Sequence, residues 1–118
     1  MNFQGIFAAS VWVLVSSVPS LAEEDFASGN FMLQHCQHFI DRSNNWDAWD
    51  GECSGAISTL TFLGSALPPG YKVCAPKGVT KLQAARVVVN YMLKNPQTLQ
   101  DPFRVLAMQA LTEAWPCK

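Results

Sequence analysis

Residues 45–67 read NWDAWDGECSGAISTLTFLGSAL and contain the clearest periodic pattern in the chain. Apolar side chains recur there at alternating steps of three and four residues, at Trp46, Trp49, Cys53, Ala56, Leu60, Leu63 and Leu67. This spacing predicts one continuous seam on an α-helix from about Asn45 to Ala66. The helix ends at Leu67-Pro68-Pro69-Gly70, because proline cannot continue it.

Two glycines, Gly51 and Gly55, lie inside this predicted helix. Each costs roughly 1 kcal/mol relative to alanine, so we expect close approach of a neighbouring helix to compensate. A further helix is predicted from about Phe31 to Asp41, with Ser28 or Asn30 as its N-cap. Helical spacing predicts its apolar face, which consists of Met32, Leu33, Cys36, Phe39 and Ile40.

Two further helices follow along the chain. Thr80-Lys81-Leu82-Gln83 is a capping box and predicts the start of the third helix, with a buried face of Leu82, Ala85, Val88, Val89 and Met92. Asp101 is predicted as the N-cap of the fourth helix, with Pro102 at its first position and Pro116 at its end. The short connection between them predicts antiparallel neighbours.

The four cysteines are Cys36, Cys53, Cys74 and Cys117. An even number of cysteines, together with the signal-peptide pattern described in the next paragraph, predicts two disulfides, ahead of free thiols or a zinc site. Cys74 and Cys117 flank the antiparallel hairpin and are expected to pair, which leaves Cys36 with Cys53. Four cysteines allow three pairings, and the sequence excludes none of them. The expected fold is therefore all-α, a compact bundle of about four helices stapled by two disulfides.

The first 22 residues have the pattern of a cleavable signal peptide. An apolar run, Ile6 to Val15, is followed by small residues before a cleavage site after Ala22. The run is shorter than the roughly 20 residues of a membrane-spanning helix, which makes an uncleaved anchor the weaker alternative. We therefore expect a signal peptide at 1–22, a domain at 23–118, a periplasmic location and no membrane association after cleavage.

Charged residues are distributed unevenly between the two halves of the domain. Residues 23–66 hold seven acidic residues and one basic residue, whereas residues 67–118 hold seven basic and two acidic ones. The split could steer a partner, hold the two halves together or be ordinary solvated surface. The net charge of −1 gives no support to a nucleic-acid partner.

Few residues suggest catalysis or metal binding. His35 and His38 are spaced to share a metal, but no third ligand is evident, so both are predicted to be exposed surface residues off the apolar face. Asp47, Asp50 and Glu52 are predicted to solvate the second helix. The sequence contains neither a nucleophile signature nor a glycine-rich phosphate loop. We therefore expect a binding protein without catalytic residues, cofactor or metal.

Four segments together resemble the Tai-type immunity proteins, which protect bacteria against amidase effectors of type VI secretion. The segments are Gly51-Glu52-Cys53-Ser54-Gly55, Cys74-Ala75-Pro76-Lys77-Gly78-Val79-Thr80-Lys81-Leu82-Gln83, Asn95-Pro96-Gln97-Thr98-Leu99 and Glu113-Ala114-Trp115-Pro116-Cys117. The resemblance implies a periplasmic, mostly dimeric helical protein that blocks the active-site groove of a peptidoglycan amidase. It also implies that the cysteines are structural and that the protein is not an enzyme.

Two regions are candidates for contacting such a partner. The loop Asn95 to Asp101 is polar and is stiffened by Pro96 and by Pro102 just beyond it, and its Gln97 and Gln100 are the expected contact residues, although it could be a plain helix connection. The second candidate is the acidic stretch around Trp46 and Trp49. Two other functions stay open at this point: a periplasmic stress chaperone, and a helical carrier of a small apolar ligand.

Overall fold

The computed structural model describes residues 25–41 and 45–118. The predicted signal peptide at 1–22 lies outside these residues. Four α-helices form the domain: α1 (Gly29–Asp41), α2 (Ala48–Leu63), α3 (Lys81–Lys94) and α4 (Phe103–Ala114). Short 3-10 turns follow α2 and α3, at Gly64–Ala66 and Pro96–Thr98. Extended pairing among the described residues is confined to two isolated bridges, so the all-α prediction is confirmed.

Side chains cap the N-termini of α1, α2 and α3, and the sequence predicted the caps of α1 and α3. Ser28, rather than Asn30, caps α1, because its Oγ accepts the N–H of Phe31 at 3.2 Å. Thr80 caps α3, accepting from the Gln83 N–H at 3.0 Å, but the Gln83 side chain does not make the reciprocal bond of the predicted capping box. The α2 helix begins later than the predicted Asn45, because Asp47 is its N-cap. Each cap satisfies amide donors that have no partner inside the helix.

The predicted start of α4 was wrong by one residue. Asp101 is not the N-cap: Pro102 holds that position and Phe103 begins the helix. The backbone at this point is instead engaged by the residues that lead into α1. The Phe103 N–H donates to the Ala27 carbonyl at 2.7 Å, and the Asp101 carbonyl accepts from the Gly29 N–H at 2.9 Å. These non-local bonds replace the side-chain cap that the local sequence suggested.

The core lies where α1 packs against α2 and α3, and where α4 packs against α3 and α2. Its apolar members are fully or almost fully buried: Met32, Cys36, Phe39, Cys53, Ile57, Val73, Ala84, Ala85, Val88, Val89, Met92, Phe103, Leu106, Ala107, Ala110 and Leu111. Most of the predicted α1 and α3 face positions belong to it. None of the helices that the structure describes is both long and apolar enough to cross a membrane.

The buried face of α2 differs from the predicted seam. The buried residues of the helix are Asp50, Cys53 and Ile57, whereas Trp46 before it and Leu63 at its end are 62% and 41% exposed. The periodicity was correct, but the helix is rotated so that Asp50 faces inward and Trp49 lies at the flank. The predicted seam was built from apolar residues alone, so it could not identify a carboxylate at a core position. The orientation of α2 was therefore predicted wrongly.

Both disulfides have the expected pairing. Cys36 joins Cys53 between α1 and α2, with their Cα atoms 5.5 Å apart. Cys74 joins Cys117 across the open end of the α3–α4 hairpin, with a Cα separation of 5.0 Å. Beside this second bridge the Cys74 N–H donates to the Trp115 carbonyl at 2.8 Å. The bridges thus tie α1 to α2 and the two ends of the α3–α4 unit to each other.

The glycines of α2 do not serve the purpose that the sequence suggested. A Cβ added at Gly51 or Gly55 would meet no atom within 4 Å, so no neighbouring helix approaches there. The close approach occurs at Gly29, the first residue of α1. A Cβ at Gly29 would lie 2.4 Å from Leu106 Cδ1 and 3.0 Å from the Leu99 carbonyl oxygen. Gly29 therefore lets α1 pack onto α4 and the preceding loop.

Replacing Gly29 with alanine is expected to destabilise the protein by about 1–3 kcal/mol, the usual cost of overpacking. The matched replacement Gly55→Ala, in open space within α2, is expected to stabilise by up to about 1 kcal/mol. Urea unfolding of both variants measures the two changes. Equal effects of the two substitutions would contradict the tight packing at Gly29.

Candidate functional site

One side of α1 presents a row of rings that α2 and the preceding loop cover with two tryptophans. Phe31, His35 and Phe39 are spaced four residues apart, so they lie on one side of the helix. The Trp49 ring lies 4.9 Å from Phe31 and 6.1 Å from His35, and Trp46 lies 5.4 Å from Phe39, measured between centroids. Phe26 stacks on Trp49 at 5.5 Å. We call these residues the aromatic face: Phe26, Phe31, His35, Phe39, Trp46 and Trp49.

Three rings of the aromatic face remain open to solvent although they pack on the other members of the face. Trp46 is 62% exposed, Phe26 50% and Trp49 37%. Large apolar side chains at such exposure are typical of protein interfaces, where tryptophan is enriched among the residues that dominate affinity. Neighbouring rings already hold the Trp49 side chain in place, so binding would cost little conformational entropy at this residue. The predicted pair Trp46 and Trp49 therefore forms part of a surface suited to a protein partner.

The loop between α3 and α4 is held firmly against the start of α1. The Leu99 carbonyl accepts from the Asn30 N–H at 2.7 Å, and Asp101 accepts from Gly29 as described above. Both predicted contact residues of this loop, Gln97 and Gln100, are exposed. The loop is therefore more than a plain helix connection, because its backbone forms part of the packing around α1.

The structure places Gln100 next to the aromatic face. A groove of about 410 Å³ runs between them, and it is lined by Asp25, Ser28, Asn30, Phe31, Gln34 and Gln100. Gln97 lies on the preceding 3-10 turn, Pro96–Thr98. The two regions that the sequence treated as separate candidates thus adjoin through the residues that lead into α1.

A second groove borders the aromatic face on the α4 side. It has a volume of about 370 Å³, and its lining includes Phe26, Trp49, Glu52 and Arg104. Arg104 Nε donates to Glu52 Oε1 at 3.1 Å, which joins the acidic half of the domain to the basic half. Arg104 is 73% exposed, so this pair contributes little to stability. At least one ion pair, between Glu52 and Arg104, therefore links the acidic half of the domain to the basic half.

The carboxylate of Asp50 is buried, contrary to the prediction that it solvates α2. Its side chain is 0% exposed, and His38 Nδ1 donates to its Oδ2 at 2.6 Å. The backbone N–H of Asp47 donates to the same oxygen at 3.1 Å. The prediction that both histidines are plain surface residues was also wrong, since His35 is only 16% exposed and His38 binds Asp50. A buried charge requires such partners.

Asp47 combines a structural contact with an exposed position. Its Oδ1 accepts from the N–H groups of Asp50 and Trp49, at 2.9 and 2.8 Å, and so caps α2. The hydrogen bond from the Asp50 amide is the main reason that the pKa of the Asp47 carboxyl lies below its usual value. The other oxygen, Oδ2, lies 3.7 Å from His35 Nδ1. Sequence reasoning missed this arrangement because the histidines and the aspartates lie on different helices, outside any local window.

Comparison with known protein families supplies one match. Residues 28–117 match the family model described as Rap1a immunity proteins. The chain matches no curated protein and no solved structure.

Proposed function

Because this chain belongs to the Rap1a immunity protein family, we propose that it is a periplasmic immunity protein that binds and blocks a peptidoglycan amidase effector of type VI secretion. The family supports an immunity function against a secreted effector, exercised by binding a protein. The choice of an amidase rests on the resemblance of the segments around Cys53, Cys74, Pro96 and Cys117 to the Tai-type proteins.

The aromatic face is the observation that best supports binding rather than catalysis. We propose that it forms the centre of the effector interface, with Trp46 and Trp49 as anchors and Gln97 and Gln100 at its edge. A protein that enters a hydrolase groove must present a rigid surface, because ordering side chains on binding reduces affinity. The packed rings meet that requirement, and so does the loop 95–101, whose backbone is hydrogen-bonded to the start of α1.

The disulfides support a location outside the cytoplasm. Disulfides persist in oxidising compartments such as the bacterial periplasm and are rare in the cytosol. The Cys36–Cys53 bridge joins two core residues, and the Cys74–Cys117 bridge joins the segments that flank α3 and α4, so oxidation is expected to stabilise the fold. A periplasmic location also matches the site at which a peptidoglycan amidase acts.

Export predicts a processed N-terminus. Mass spectrometry of the protein isolated from periplasm is expected to show Glu23 as its first residue, because the small residues Ser20 and Ala22 precede the bond. An intact chain that begins at Met1 and stays in the membrane fraction would contradict this prediction.

The proposed function predicts that an amidase gene lies beside this one, and the enzyme it encodes is the test partner. Peptidoglycan hydrolysis by that enzyme is expected to stop when the protein is added in equimolar amount, and periplasmic co-expression is expected to rescue growth. An amidase from an unrelated effector pair is the control and should stay active. Protection against an effector without amidase activity would keep the immunity function and reject the amidase. Failure to bind or neutralise any effector would reject the proposal.

We also propose a homodimer, as the resemblance to Tai-type proteins implies. Light scattering coupled to gel filtration gives the mass directly. A mass equal to that of one chain at micromolar concentration would reject the dimer without affecting the proposed effector binding.

A further inference from the structure

One imidazole and two carboxylates converge beside Trp49, and neither the family match nor the proposed function uses them together. His35 Nδ1 lies 3.7 Å from Asp47 Oδ2 and 3.9 Å from Asp50 Oδ1. One atom from each of the three residues lies within 4.8 Å of the others. These are nitrogen and oxygen atoms of the kinds that bind divalent metals.

The two carboxylates each divide their oxygens between two tasks. Asp47 uses Oδ1 to cap α2, which leaves Oδ2 facing His35. Asp50 uses Oδ2 to accept from His38 and from the Asp47 amide. This leaves Oδ1 of Asp50 facing His35. The oxygens that hold the structure are thus separate from those that face the imidazole.

The Oδ1 atom of Asp50 is the observation that points to a ligand. It is buried, belongs to a side chain that is 0% exposed, and has no hydrogen-bond partner among residues 25–41 and 45–118. A buried carboxylate oxygen without a partner costs free energy of desolvation that nothing offsets. His35 is too distant for a hydrogen bond at 3.9 Å. A cation between these atoms would satisfy the oxygen.

We propose that His35, Asp47 and Asp50 bind one divalent transition-metal ion of the zinc class. One imidazole and two carboxylates make three protein ligands, and a water or a ligand from a partner completes a tetrahedral shell. His38 is a positioning residue in this site, because its hydrogen bond to Asp50 Oδ2 orients the carboxylate whose other oxygen binds the metal.

The two distances from His35 Nδ1 require a small contraction on binding, and the ligand oxygens of Asp47 and Asp50 start within 4.8 Å of each other. Tetrahedral zinc, with bonds of about 2.1 Å, places its ligand atoms about 3.4 Å apart. The His35 Nδ1 distances of 3.7 and 3.9 Å exceed this value by a few tenths of an ångström. Asp50 is held by packing, whereas the Asp47 side chain is 52% exposed and has room to adjust. One fixed ligand and one adjustable ligand make this closure feasible.

Calorimetric titration of the untagged, EDTA-treated protein with Zn²⁺ tests the site. We expect one equivalent to bind and the melting temperature to rise with Zn²⁺ concentration. His35→Gln and Asp47→Asn are each expected to weaken binding at least tenfold, and His38→Gln by roughly tenfold to a hundredfold. Asparagine caps a helix about as well as aspartate does, so the Asp47→Asn variant should melt like the wild type in EDTA.

The exposed carboxylate of Asp41, at the end of α1, provides the matched control. Asp41→Asn removes the same charge and should leave Zn²⁺ binding unchanged. Absence of saturable binding would overturn the proposal. Binding that survives both His35→Gln and Asp47→Asn would do so as well, because the metal would then lie elsewhere. The metal alone is the probe, so this outcome is independent of whether the protein blocks an amidase.

Discussion

Replacing Trp49 with alanine is expected to weaken binding of the effector by at least about 2 kcal/mol, roughly thirtyfold in Kd. Trp49 lies at the centre of the aromatic face, in contact with Phe26, Phe31 and His35. Anchors of this kind dominate affinity because they enter pockets from which water is excluded. Trp46, at 62% exposure, is expected to show a smaller loss of the same sign. Calorimetric titration against the proposed amidase effector gives both values.

The matched control is Phe62→Ala. Phe62 is 89% exposed, also belongs to α2, and lies about 20 Å along the helix from Trp49 at 1.5 Å per residue. Its removal deletes a comparable apolar surface outside the proposed interface and should leave Kd unchanged. Melting curves in parallel separate lost contacts from lost folding, because Trp49 is partly buried. A larger loss at Phe62 than at Trp49 would place the interface at the other end of α2.

The two glutamines test how far the interface extends. Replacing Gln97 or Gln100 with a bulky or charged residue is expected to weaken binding without lowering the melting temperature, since both side chains are exposed. Gln100 should matter more, because the groove beside Phe31 connects it to the aromatic face. Unchanged affinity in both variants, combined with a loss at Trp49, would confine the interface to the aromatic face.

Removal of the Cys74–Cys117 disulfide by double alanine substitution is expected to lower the free energy of unfolding by about 4 kcal/mol. The bridge closes a loop between residues 43 positions apart, and the chain-entropy model attributes the effect to a less restricted unfolded state. A small domain has a total stability of about 5–15 kcal/mol, so the loss is a large part of it. Denaturant unfolding under non-reducing conditions measures the difference.

The Cys36–Cys53 bridge provides an internal comparison. Its residues are 17 positions apart, so the same model gives about 3 kcal/mol, and its fully buried sulfur atoms add a packing loss. Reduction of the wild-type protein should lower stability in the same direction. A loss below about 1 kcal/mol for the Cys74–Cys117 variant, far from the chain-entropy value, would show that the Val73–Pro116 pairing alone holds these ends together.

Local patterns in the sequence were sufficient to predict the four helices, and they indicated how the cysteines pair. Helical periodicity identified α1 to α4, and Thr80 was recognised as a cap because capping depends only on residues in the first turn. The order of elements favoured the observed disulfide pairing without excluding the other two, since antiparallel helices bring their outer ends together. Gln97 and Gln100 were correctly expected in a surface loop, although their contact with a partner stays a prediction.

The predictions failed at positions whose surroundings are determined by residues that are distant in the sequence. Asp101 has the composition of a cap, but the backbone around it bonds to Ala27 and Gly29. Gly51 and Gly55 looked like contact sites, whereas the close contact occurs at Gly29. In both cases the deciding atoms belong to a segment far away along the chain or on another helix, so no local window contains them.

The amino-acid sequence by itself determined the all-α class, the number of helices and the oxidised cysteines, because each depends on spacing along the chain. Tertiary structure alone decided which face of α2 points inward. It also decided that Asp50 is buried against His38, and that Gln100 adjoins the aromatic face. A carboxylate becomes tolerable in a core only when a partner from another helix reaches it, and that partner is supplied by the packing of α1 against α2.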